Sequence, residues 1–181
     1  MQSTFSSGGV GLRRYRAEDV DVLFEAARES VRELSAWMPW CSENYSRADS
    51  EAFVKSRGAE WDRGEHYSFV IYDTAKGGFL GSVGLNFINP VHKFANLGYW
   101  VRTTWTGRGV ATTAARLAAR FGIAELGFNR IEIVTAAGHV VSQRVAKKVG
   151  ATCEGILRRR LMIHGQVHDA VLFSLVAEDL K

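Results

Sequence analysis

Two glycines separated by one residue, in Trp105-Thr106-Gly107-Arg108-Gly109-Val110-Ala111, lie between an apolar run, Leu97-Gly98-Tyr99-Trp100-Val101, and a second patterned run. In the second run Val110, Ala114, Leu117, Ala118 and Phe121 fall on one face of a 3.6-residue period, which predicts a helix. A strand, a glycine turn and a helix N-terminus together form an anion cradle. The first helical amides lack internal partners, and the macrodipole favours negative charge there. Gly107 and Gly109 let a ligand approach the backbone, so the chemistry indicated is phosphate binding. The spacing is not that of a P-loop, and the third glycine of a dinucleotide fingerprint is absent. Such a turn also serves as a plain tight connection between strand and helix.

The elements that must position this turn can be read along the chain. Val10 to Arg16 reads as a strand, followed by a helix from Ala17 to Leu34 with Val20, Phe24, Ala27, Val31 and Leu34 on its core face and Glu18 and Asp19 at its positive end. Ser46-Arg47-Ala48-Asp49 has the form of a capping box that opens a helix toward Arg63. Tyr67 to Asp73 and Phe79 to Phe87 predict a hairpin around Lys76-Gly77-Gly78. After the glycine turn and its helix, Arg130-Ile131-Glu132-Ile133-Val134-Thr135 reads as a buried strand. A short helix then runs from Val140 to Val149, with a core stripe at Val141, Val145 and Val149, Lys147 and Lys148 in its last turn, and a stop at Gly150. A final hairpin turns at His164-Gly165. No repeat or long linker divides the chain, which predicts one α/β domain with a mixed sheet.

Several segments, in order, resemble the GNAT acetyltransferases. Thr104-Trp105-Thr106-Gly107-Arg108-Gly109 resembles the family's coenzyme A loop, Gln/Arg-x-x-Gly-x-Gly/Ala, with Thr104 in place of the usual first residue. His139-Val140-Val141-Ser142 and Lys148-Val149-Gly150-Ala151 resemble the Asn-x-x-Ser…Lys-Leu-Gly-Phe signature of the RimJ/RimL-type branch, whose enzymes acetylate N-terminal amines of ribosomal proteins. Val31-Arg32-Glu33-Leu34-Ser35-Ala36-Trp37-Met38-Pro39-Trp40 resembles that branch's Leu-x-x-Trp-Met-Pro-Trp segment. Gly98-Tyr99-Trp100 and Gly165-Gln166…Asp169…Leu172-Phe173-Ser174-Leu175 fit as well, so the resemblance spans roughly residues 10–178.

The resemblance implies an α/β GNAT fold, with a mixed, mostly antiparallel sheet of about seven strands and flanking helices, as a single domain over residues 1–181. It also implies an acetyl-CoA-dependent N-acetyltransferase that works by direct transfer, with no covalent intermediate. Coenzyme contacts fall to Tyr99, Trp100 and Val101 through their backbone, to Thr106, Gly107, Arg108, Gly109, Val110 and Ala111, and to His139 and Lys148. A backbone amide of the Tyr99–Val101 strand would polarise the thioester carbonyl. Ser142 is the implied proton donor to the departing thiolate, although a serine there also suits a helix cap. Trp37, Trp40 and Asp169 are placed at the acceptor, the two tryptophans serving equally well as core.

No general base is evident. Asn96 and Leu161 stand where family members carry glutamates, and neither takes a proton. A free α-amine, with a pKa of about 7.7–8.0 against about 10.4 for lysine, is already about one-tenth neutral at pH 7. Orientation and a water relay would then suffice, which favours a protein N-terminus over a lysine; Asp169 and Glu154 remain as carboxylate candidates. The alternatives are a small amine (polyamine, amino acid or aminoglycoside) and a weakly catalytic acyl-CoA-binding module.

Composition sets limits. The 181 residues carry a net charge of +4 and two cysteines, Cys41 and Cys153, with no Cys-x-x-Cys pair and no metal-ligand spacing among the histidines. Cys153 reads as a small core residue. No signal peptide or membrane span is evident, so a cytoplasmic protein without membrane or nucleic-acid partners is expected. A homodimer is one of the oligomeric states left open. Arg158-Arg159-Arg160, read as a strand, would put Arg158 and Arg160 on one face, either solvated or meeting acid groups of a substrate.

Overall fold

The computed structural model describes residues 4–180. Its strands are β1 (Thr4–Ser7), β2 (Val10–Arg14), β3 (Tyr67–Asp73), β4 (Phe79–Asn89), β5 (Phe94–Val101), β6 (Arg130–Ala136), β7 (Thr152–Ile163) and β8 (Gln166–Leu175). Its helices are α1 (Asp19–Glu29), α2 (Val31–Ser35), α3 (Arg47–Asp62), α4 (Val110–Ala124) and α5 (Val140–Val149). The strands form one eight-stranded sheet in the order β1-β2-β3-β4-β5-β6-β8-β7. Every neighbouring pair is antiparallel except β5 and β6.

The parallel pair is short. It joins only Phe94–Asn96 to Arg130–Glu132, after which the strands part. Beyond that point β5 stays on β4 as far as Val101, and β6 stays on β8 as far as Ala136. A wedge therefore opens between the backbone edges of 97–101 and 133–136. The Asn96 side chain sits where the strands separate. Its amide nitrogen donates to Asn86 Oδ1 at 2.8 Å, and its oxygen accepts the Val134 N–H at 3.3 Å, a donor the lost ladder would leave unpaired.

Alternation along β3 divides the core: Phe69 and Ile71 join the cluster under α4, and Val70 joins the cluster under α1 and α2. All three are fully buried, as expected of a central strand covered on both faces. Phe121 of α4 lies among Phe5, Trp61, Tyr67 and Phe69, with ring centroids 5.2–5.7 Å away, mostly edge-on. This cluster fixes the helix that starts at the glycine turn.

The structure revises several expectations. The helix expected from Ala17 to Leu34 breaks at Ser30, whose buried hydroxyl accepts the Thr103 N–H at 3.1 Å. β1 adds an eighth strand ahead of Val10. Val141 is 64% exposed rather than part of the core, whereas Val149 is buried as expected and Ala146 is buried with it. Cys153 is exposed on β7, not buried. The arginine run does not alternate: a register shift between Leu157 and Leu161 bulges it outward, with Arg159 at φ 53° and all three residues exposed. The capping box at Ser46 forms as expected, with Asp49 returning the bond.

Phe121→Ala should lower unfolding free energy by about 3–5 kcal/mol in a denaturant titration. A loss under about 1 kcal/mol would mean that the aromatic cluster does not anchor α4.

Candidate active site

A cleft of about 1000 Å³ occupies the wedge. Its floor is formed by Leu97–Val101 and Ile133–Ala136. One end is formed by Thr106, Gly107 and the first turn of α4, and another wall by the start of α5 with Arg144 and Lys148. Glu33, Leu34, Ala36, Trp37, Met38 and Pro39, with Leu161–Ile163, close the opposite side.

Gly107 and Gly109 have φ of 76° and 80°, and a Cβ at either would meet nothing within 4 Å. Backbone conformation requires glycine here, and the space in front is open. The first bond into α4 runs from the Thr113 amide to the Gly109 carbonyl, so the amides of Val110, Ala111 and Thr112 have no partner within the helix. No acid occupies that first turn. The site is thus suited to an anion such as a pyrophosphate.

The turn is held from behind. Glu29 accepts from the Arg102 guanidinium, from Thr104 N at 3.3 Å and from Thr104 Oγ1 at 2.8 Å. Burial works to raise its pKa, but the bonds from Arg102 and Thr104 hold it below the usual carboxylate value. Glu33 accepts the Thr103 hydroxyl at 3.0 Å. Thr104, unusual in the motif, therefore has a specific partner. Sequence reading missed that partner because Glu29 lies on a helix 75 residues away.

In the wedge the Tyr99 hydroxyl donates to the Ser142 carbonyl and lies 3.1 Å from Ser142 Oγ. Burial pushes Tyr99 up to about 12 against the opposing Ser142 bond, so it keeps its proton at neutral pH. Ser142 is not the cap of α5. That position belongs to His139, which makes no side-chain capping bond. The His139 ring stacks on Trp37, with centroids 4.5 Å apart and planes 3° apart. A Cβ on Gly138 would come within 3.3 Å of the same indole. Across the cleft, His164 Nε2 donates to the Ser35 carbonyl at 2.5 Å, tying the β7–β8 hairpin to the end of α2.

Of the residues singled out from sequence, Trp37, Tyr99, Trp100, Val101, Thr106, Gly107, Gly109, Val110, Ala111, His139, Ser142 and Lys148 all line this cleft. Arg108, Trp40 and Asp169 are not brought to its wall. The Arg108 guanidinium lies 4.8 Å over the Trp105 ring. Trp40 rests on Tyr45 and Trp100. Asp169 accepts the Arg159 amide at 2.7 Å. Glu154, a candidate base by sequence, is paired with Arg130 and Ser174 and held down at about 2 by them. Asn96 is the clasp of the strand split, and Leu161 is an apolar part of the wall. Among the described residues no group of His, Cys, Asp and Glu could hold a metal ion, and no helix is long and apolar enough to cross a membrane.

Comparison with known proteins places the chain in a family. The Acetyltransferase (GNAT) domain family matches residues 10–152. "Putative ribosomal N-acetyltransferase YdaF" of Bacillus subtilis is 28% identical over 173 residues, covering 94% of this chain and 92% of that protein. Spermidine N(1)-acetyltransferase of Escherichia coli is 27% identical over 170 residues, covering 92% of this chain and 85% of that protein. The structure of Mycobacterium smegmatis RimJ in complex with CoA-disulfide superposes with a TM-score of 0.85 at 26% identity, covering 94% of this chain and 83% of that one. The chain belongs to the GNAT acetyltransferase family, has RimJ/RimL-like proteins among its relatives, and is an N-acetyltransferase with acetyl-CoA as its co-substrate.

Proposed function

We propose that this enzyme acetylates the N-terminal α-amine of a protein, as ribosomal-protein acetyltransferases do, by direct attack of the amine on the thioester. The supporting observation is the composition of the cleft. Among the described residues the only carboxylate lining it is Glu33, and that group is engaged by Thr103. Without a carboxylate beside Tyr99 and Ser142, an amine that is already partly neutral is favoured over one with a pKa of about 10.4. Arg144 and Lys148 also line the cleft, and their charge works against a polycation such as a polyamine.

In this reading the Gly107 turn and the α4 amides hold the pyrophosphate, with Lys148 adding positive charge. The free edge of β5, around Tyr99 to Val101, takes the pantetheine arm and points an amide at the thioester oxygen, a contact worth roughly 10²–10³ in rate where measured. The hydrogen-bonded Tyr99–Ser142 pair supplies a proton to the thiolate, and Trp37 walls the acceptor.

Two outcomes follow. Ser142→Ala should lower kcat by about tenfold or more while acetyl-CoA affinity changes by less than about threefold; a kcat within about twofold of the parent would remove Ser142 from the proton path. At pH 7 a peptide with a free α-amine should have a kcat/KM at least about tenfold above the same peptide blocked at its N-terminus and carrying one lysine. Equal acetylation of the lysine peptide would rule out the α-amine preference, and turnover only on small amines would replace the acceptor.

A further inference from the structure

Among the described residues the cleft is lined by five ionisable side chains, Glu33, Tyr99, His139, Arg144 and Lys148, and they are not equally able to accept a proton. Glu33 on α2 already accepts from Thr103. Tyr99 on β5 keeps its proton and is directed at Ser142. Arg144 and Lys148 on α5 are cations with no lone pair to offer. His139 is different. Its ring is fixed flat on Trp37, and among the described residues neither of its nitrogens has a hydrogen-bond partner. Ser142 follows three residues along, the spacing at which side chains at a helix cap and its third position approach each other.

We infer that His139 is the general base of the transfer, taking the proton from the acceptor ammonium at the Trp37 wall; this rests on the acetyl-transfer reading of the cleft above. Burial lowers the pKa of His139. It stands at the positive end of α5, and Arg144 and Lys148 lie on the same helix. Among the described residues Glu33 is the one opposing charge in the cleft. The cleft residues from α4 (Val110 to Thr112) and from β7 (Leu161–Ile163) carry no charge. The imidazole is therefore neutral at pH 7, with a lone pair available.

The balance is complete. His139 removes one proton from the ammonium and passes it to water, regenerating the imidazole. The neutral amine attacks the carbonyl carbon, the C–N bond forms and the C–S bond breaks. The nitrogen sheds its second proton, and the thiolate gains one through Ser142. A base this weak is matched to an α-amine of pKa about 7.7–8.0 and poorly matched to lysine at about 10.4, which accords with the acceptor preference proposed above.

The sign for pH follows from the lowered pKa: activity is full above it and lost as pH falls through it. With both substrates saturating, kcat of the parent enzyme should fall on a limb below about pH 6.5, at the same pH for two α-amine peptides whose amines differ in pKa. His139→Asn, a polar replacement that cannot act as a base, should lower kcat by about 100-fold or more. It should also shift the limb to each acceptor's own amine pKa, with acetyl-CoA affinity by calorimetry within about threefold and the unfolding midpoint preserved. His139→Gln should behave alike. A parent limb that follows the acceptor, or an Asn variant with kcat within about twofold of the parent, overturns the assignment. So does a variant that loses acetyl-CoA affinity but regains full kcat at saturating acetyl-CoA, since His139 would then be a coenzyme ligand. A parent that binds acetyl-CoA but acetylates only small amines would change the acceptor instead, and the same pH series on those amines would still decide His139.

Discussion

The site depends on the parting of two parallel strands. β5 and β6 are paired only through Asn96 and Glu132, and every feature of the cleft lies beyond that point. Separating two strands inside a sheet exposes backbone donors and acceptors, each costly to bury without a partner. Asn96 offsets part of that cost by bonding Val134 on one side and Asn86 on the other. The remaining edge of β5 stays free, which is what a pantetheine arm of alternating amides requires. A residue that first reads as a lost catalytic glutamate is thus the structural clasp of the wedge.

Two helix N-termini converge on that wedge, and the rest of the molecule holds them in place. Phe121 anchors α4 in the aromatic cluster, and Gln143 ties the start of α5 back to the carbonyls of Ala136 and Ala137. The acceptor wall and the glycine turn are also joined, because Glu29, Ser30 and Glu33 together bind the segment Arg102 to Thr104. The break between α1 and α2 is therefore coupled to the glycine-turn end of the cleft. Positive backbone ends and cationic side chains dominate the site, consistent with a polyanionic coenzyme and with an acceptor of low charge.

Much of this was legible in the chain. The helix at Val140–Val149, the capping box at Ser46 and the strand-turn-helix at Gly107 appear where periodicity and punctuation place them. Long-range contacts were not legible. The break at Ser30 has no proline or glycine to announce it and arises from a bond to Thr103. β1 has one apolar residue, Phe5, and its alternation is too short to register, yet that ring docks on Phe121. Trp37 and Trp40 look equivalent in sequence, but only Trp37 faces the cleft, and the vacancy in the general-base role conceals a histidine that motif comparison assigns to the coenzyme.

The central claim, that acetyl-CoA sits in the wedge with its pyrophosphate on the Gly107–Ala111 backbone, is tested most directly by calorimetric titration of acetyl-CoA into the parent and a Gly109→Val variant whose fold is verified by its unfolding transition. The account predicts that the parent binds and that affinity in the folded variant falls by about tenfold or more, because a branched side chain stands in the open space before the amides. Unchanged affinity in a folded variant would contradict it.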